Sequence, residues 1–137
     1  EIVEEIVAQP VQEPVKVEEK VEKPQVVEQK VTIQRDVFFT INSAKIRESE
    51  QVKIDELVAF LNAHPTIKIV ITGYADKGTG NAKINSGLAA KRAKVVVDAL
   101  VNNYGISSSR ISSDSKGDTV QPFAEQVKNR VSICIAQ

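Results

Sequence analysis

Two residues of opposite charge carry most of the chemistry that this sequence offers. Asp76 follows a β-rich run and opens a glycine-containing loop, and Arg92 lies further along, inside a long helical pattern. At about 100° per residue, with Ile84 set to zero, Val95, Leu88, Ala99, Val96 and Leu100 fall between about 20° and 160°. Arg92 near 80° and Asn85 near 100° lie inside that apolar arc, so a guanidinium and an amide are turned toward the core. An unpaired charge taken out of water costs several kcal/mol, so Arg92 requires a carboxylate, from the protein or from a ligand. Asp76 sits on the loop feeding the N-terminal end of the same helix, the edge at which α/β sheets bind ligands. Two arrangements satisfy these needs: an internal Asp76–Arg92 salt bridge, or a site in which each group meets an opposite charge on a bound molecule.

Other chemistries find less support. The single histidine, His64, precedes Pro65 at a helix end with no nucleophile or metal partner suggested nearby, so it reads as a helix terminus and not as a catalytic base. The single cysteine, Cys134, excludes an intrachain disulfide and has no zinc-type spacing. Gly78-Thr79-Gly80-Asn81-Ala82-Lys83 joins a strand to a helix but lacks the Gly-Lys-Ser/Thr ending of a phosphate loop. An RNA-binding sheet would spread aromatics over one face, whereas the chain has two Tyr and four Phe, with Phe38 and Phe39 adjacent. No enzyme, cofactor, metal or nucleic acid is therefore expected.

The elements that hold these residues follow a change in composition. Residues 1–30 are Val, Glu, Lys, Gln and Pro, with Pro10, Pro14 and Pro24 spaced so that no helix runs through uninterrupted. This stretch reads as a flexible linker that, stretched in polyproline-like form, reaches roughly 90 Å; a segment without any spacing role is the alternative. It holds eight acids against four lysines, leaving ten acids against fourteen bases in residues 31–137, a modest surplus that favours approach to an anionic polymer. From residue 31 a single domain is expected. Val37, Phe39 and Ile41 alternate as a first strand, and Glu48 or Ser49 caps a helix through Ile54, Leu57, Val58 and Leu61 that Pro65 stops. Residues 67–73 form a central strand, and a second helix runs from about Ala82 to Tyr104, closed by Gly105. Residues 111–116 form a weaker strand, and Val131, Ile133 and Ile135 alternate in a last one. The predicted fold is α+β, an α/β sandwich of βαβαβ(α)β order, with a small mixed four-stranded sheet and two long helices on one face.

The motif Gly73-Tyr74-Ala75-Asp76, a glycine loop, and then Asn85-x-x-Leu88-x-x-x-Arg92-Ala93-x-x-Val96 resembles the signature of the OmpA-like domain family. Val37-Phe38-Phe39, Gly117-Asp118 with Pro122, and Asn129-Arg130-Val131 resemble further family elements in the right order, covering about residues 31–137. The overall flavour is that of members from Bacteroidetes outer membranes. The resemblance implies a periplasmic domain of an outer membrane protein that binds peptidoglycan non-covalently. Asp76 would take the ammonium of diaminopimelate and Arg92 its carboxylate, tethering the outer membrane to the wall. It further implies accessory contacts from Thr40, Asn42, Tyr74, Ala75, Asn85, Leu88 and Arg130, and a β-barrel or lipid anchor ahead of Glu1. Ala75 stands where the family often has Thr, and Ala89 where it has Ser. The oligomeric state is left open, and a protein-interaction domain of an envelope complex is the competing function.

Overall fold

The computed structural model describes residues 31–137; the linker expected over residues 1–30 lies outside the described residues. The elements are β1 (Ile33–Phe38), α1 (Gln51–Ala63) after a 3-10 turn at Glu48–Glu50, β2 (Ile69–Tyr74), α2 (Ala82–Asp98), β3 (Ile111–Ser115) and β4 (Val131–Ala136). A π-helical turn, Ala99–Asn103, continues α2, and a 3-10 turn at Gln126–Asn129 leads into β4. The sheet runs β1-β4-β2-β3, antiparallel at its first two pairings and parallel between β2 and β3. The expected α+β order and mixed four-stranded sheet are both present.

The core is built by Val37, Ile69, Ile71, Cys134 and Ala136 of the sheet against Ile54, Leu57 and Leu61 of α1 and Val96 and Leu100 of the second helical stretch. In β4 the side chains level with Ile69, Ile71 and Gly73 are Ala136, Cys134 and Ser132, so the small residues face the helices. Ile133 and Ile135 turn to the opposite face beside Thr72 and Val70. The reason is how close α2 lies: a Cβ on Gly73 would collide with the carbonyl oxygen of Ala89, and the Ser132 hydroxyl donates to the Arg92 carbonyl at 2.7 Å.

That close approach also corrects the helical projection. The buried side of α2 is Asn85, Ala89, Arg92, Ala93 and Val96, an arc from about 80° to 180° on the scale used above. Ile84 is 51% exposed, and Arg92 lies on the flank of the arc and not in its middle. Ala89 and Ala93, which carry little apolar weight in a periodicity count, are the residues that let the helix sit against the strand.

Two local expectations change as well. Ile41 does not extend the first strand: β1 ends at Phe38, Ile41 is 54% exposed, and Asn42 adopts φ 52 where the chain turns. Neither Glu48 nor Ser49 caps α1. The Glu50 carboxylate instead leaves the helix end to accept the Phe38 amide at 2.8 Å and Lys53 Nζ at 2.9 Å. At α2 the cap is Asn81, whose side chain accepts from the Ile84 amide at 2.9 Å.

Candidate functional site

Three loops meet at the C-terminal end of β2: the one after β1, the one joining β2 to α2, and the segment before β4. Arg92, with no exposed surface, ties two of them together. Its Nε donates to the Ser43 carbonyl at 2.8 Å, Nη1 to the Tyr74 carbonyl at 3.0 Å and Nη2 to the Thr40 carbonyl at 3.1 Å. The charge thus meets three backbone dipoles and no carboxylate among the described residues, correcting the expectation that it needs an anion. The outward turn at Thr40 to Ser43, which ends β1 early, aims these carbonyls at the guanidinium. Three of its five N–H groups are so engaged, leaving two without a partner among the described residues. Burial pulls the guanidinium down to about 10 while the charge of Asp76 pushes it up, so it stays cationic at neutral pH.

Asp76 is 3% exposed and forms its ion pair with Arg130, not Arg92: Arg130 Nε lies 2.7 Å from Oδ2. The Thr79 hydroxyl sits 2.9 Å from both carboxylate oxygens. Burial works to raise the Asp76 carboxyl, but the Arg130 and Thr79 hydrogen bonds and the Arg130 charge outweigh it, so the group is held below its ordinary value and ionised. The internal Asp76–Arg92 salt bridge is therefore absent. Residue 130 reaches Asp76 because β4 lies between β1 and β2, pairing Val131 with both Phe38 and Tyr74. No spacing in the sequence carries that pairing.

Asn85, 2% exposed, organises the loop: its Nδ2 lies 2.8 Å from the Thr79 carbonyl, 3.3 Å from that of Asp76 and 3.0 Å from Asp118 Oδ2. Asn42, Asn85 and Leu88 come together on a cleft of about 280 Å3 that Thr79 and Ile41 also line. Thr40 and Tyr74 contribute carbonyl oxygens to Arg92 rather than side chains. Ala75 is fully buried and serves as a backbone anchor, donating to the Gly117 carbonyl at 2.9 Å and accepting from Gln121 at 3.0 Å. Sequence reasoning missed Thr79, Asp118 and the amides that brace the loop. Gln121 Oε1 accepts the Lys77 amide at 3.1 Å and Gln126 Oε1 the Gly78 amide at 3.0 Å, while buried Asn129 holds Gln121 at 2.9 Å. A Thr three residues after an Asp in a glycine loop was the one available signal, an ST-type local bond.

A four-stranded mixed sheet with two helices on one face, bearing an ionised acid on the β2–α2 loop beside a buried arginine on α2, defines an OmpA-like domain. The chain belongs to the OmpA family, whose profile matches residues 38–132. It is 35% identical over 103 residues to outer membrane protein 41 of Porphyromonas gingivalis, covering 75% of this chain and 26% of that protein. It is 34% identical over 107 residues to outer membrane protein 40 of the same organism, covering 78% and 28%. The chain thus spans about a quarter of the length of these curated relatives. Among solved structures, it is similar to the peptidoglycan-associated lipoprotein of Burkholderia pseudomallei, with TM-score 0.69, 25% identity and coverage of 75% and 90%. The C-terminal domain of Helicobacter pylori MotB gives TM-score 0.62, 25% identity and coverage of 75% and 84%. The Porphyromonas relatives, both named outer membrane proteins, bear out the Bacteroidetes resemblance.

Proposed function

We propose that the domain binds peptidoglycan non-covalently through the free end of a diaminopimelate side chain and so tethers the outer membrane to the wall, with residues 1–30 as the spacer. The observation that carries this reading is Asp76, an ionised carboxylate buried at a loop edge beside a second buried charge. Its oxygens accept from Arg130 and Thr79. An ionised carboxylate offers about four acceptor sites, so Oδ1 retains acceptor capacity for a ligand ammonium. The two spare N–H groups of Arg92 suit a carboxylate, which would reach them by displacing part of the Thr40 to Ser43 turn that buries the guanidinium. A ligand with both charges on one carbon then satisfies both residues at once. Asn42, Asn85 and Leu88 on the adjoining cleft would hold the aliphatic stem. The similarity to a peptidoglycan-associated lipoprotein supports the same reading.

The competing function, a protein-interaction domain without wall binding, draws on the Asp76–Arg130 pair and the three carbonyls on Arg92, which satisfy both charges internally. Co-sedimentation with purified diaminopimelate-type wall, in parallel with lysine-type wall, separates the two. Retention is expected on the first and at least tenfold weaker retention on the second, which lacks the side-chain carboxylate. Equal retention on both would remove the role proposed for Arg92, and none on either would favour the competing function.

A further inference from the structure

A second cleft, of about 500 Å3, opens on the other side of Arg130, between the end of β1 and the turn before β4. Ile41 lines both this cleft and the one at Asn85, so the two are neighbours on either side of that residue. Its walls present Ile41 and Val127, 54% and 56% exposed, and its cations are Arg47, Lys128 and Arg130; no acidic side chain of the described residues lines it. Arg130 is engaged by Asp76, and Lys128 pairs at the exposed surface with Glu125 at 2.8 Å. The Arg47 side chain, exposed, makes no hydrogen bond or ion pair among the described residues.

Exposed apolar side chains ringed by cations of one sign suit a ligand that is aliphatic along its body and anionic at its end. From this charge complementarity, and because Ile41 borders both this cleft and the one at Asn85, we infer that the second cleft is a subsite for the peptide that continues from the diaminopimelate residue. It takes a short aliphatic residue against Ile41 and Val127 and its free terminal carboxylate at Arg47 and Lys128. The inference rests on the diaminopimelate reading, and it adds that the domain distinguishes wall peptides with a free end from those whose terminal carboxylate is consumed in a cross-link.

Two synthetic probes test it by titration calorimetry on the 137-residue chain: N-acetyl-diaminopimelyl-alanine with a free carboxylate, and its C-terminal amide. The parent should bind the acid roughly fivefold more tightly than the amide, the order expected for two partly solvated charge contacts. In Arg47→Gln/Lys128→Gln that preference should vanish, with affinity for the amide unchanged. Arg47→Gln alone, at a position with no ion pair to lose, should reduce the preference by about half its logarithm. Equal binding of acid and amide by the parent, or a preference that survives the double substitution, would overturn the subsite. If Asp76→Asn binds the amide as well as the parent while the acid preference persists, the diaminopimelate site is wrong and the subsite stands. Failure of the parent to bind either probe would sink both.

Discussion

Two arginines in this domain each hold three backbone carbonyls at opposite ends of the sheet. Arg110 reaches the Leu61, His64 and Ile67 carbonyls at 2.8–3.0 Å, closing the end of α1 onto the start of β2. Arg92 reaches those of Thr40, Ser43 and Tyr74 at 2.8–3.1 Å. Each is a planar fork stitching loops that would otherwise leave acceptors unmet. Arg110 has no carboxylate of the described residues within ion-pair distance and no place in the candidate site, so gripping carbonyls is not itself a mark of a binding site. What separates the two ends is Asp76, whose charge acts on Arg92 and whose hydrogen-bond partner Thr79 lines a cleft.

The largest effect should come from Arg92→Ala. Three acceptors lose their donor at a fully buried position, a cost of about 3 kcal/mol or more, and wall binding should fall with it. Chemical denaturation checks the first part; a loss under 1 kcal/mol would mean water replaces the guanidinium freely. Arg92→Lys should recover little, because a point charge cannot reach three carbonyls. Gly73→Ala should cost about 2 kcal/mol by pushing α2 off the strand, seen as a lower melting temperature. Arg110→Ala, at a half-buried position where water can reach the freed carbonyls, should cost only about 1 kcal/mol and leave wall binding intact. Weakened wall binding in a folded Arg110 variant would erase the contrast between the two ends.

The smallest effect concerns pH. Because folding holds the Asp76 carboxyl below its ordinary 3.8, the carboxylate's contribution is complete above that value and is lost as pH falls through the lower folded value. Melting temperatures of the parent and Asp76→Asn should therefore differ by a constant amount from neutral pH to about 4.5 and converge only below about 3.8. A difference that changes between pH 7 and 5 would assign the titration to another group.

The same contrast explains what was legible in the sequence. The strands and helices were, because periodicity and Pro65 mark them: β2, the end of α1 and the alternating β4 all lie where the pattern puts them. The burial of Arg92 and Asn85 was also legible, since both fall on the apolar side of α2. Their partners were not. Carbonyl ligands have no side-chain signature, and the approach of Arg130 to Asp76 depends on β4 inserting between β1 and β2, a long-range pairing that local pattern does not encode. The alanines facing Gly73 were undervalued for a related reason: they contribute little apolar area and act through how close they let two elements come.

Co-sedimentation of Asp76→Asn and Arg110→Ala side by side with diaminopimelate-type wall tests the central claim most directly. Losing a charge that pairs with a ligand ammonium in a desolvated site costs about 2–5 kcal/mol, so the Asp76 variant should stay in the supernatant while the Arg110 variant pellets with the parent. If folded Asp76→Asn pellets as well as the parent, the site proposed at the β2–α2 loop is wrong.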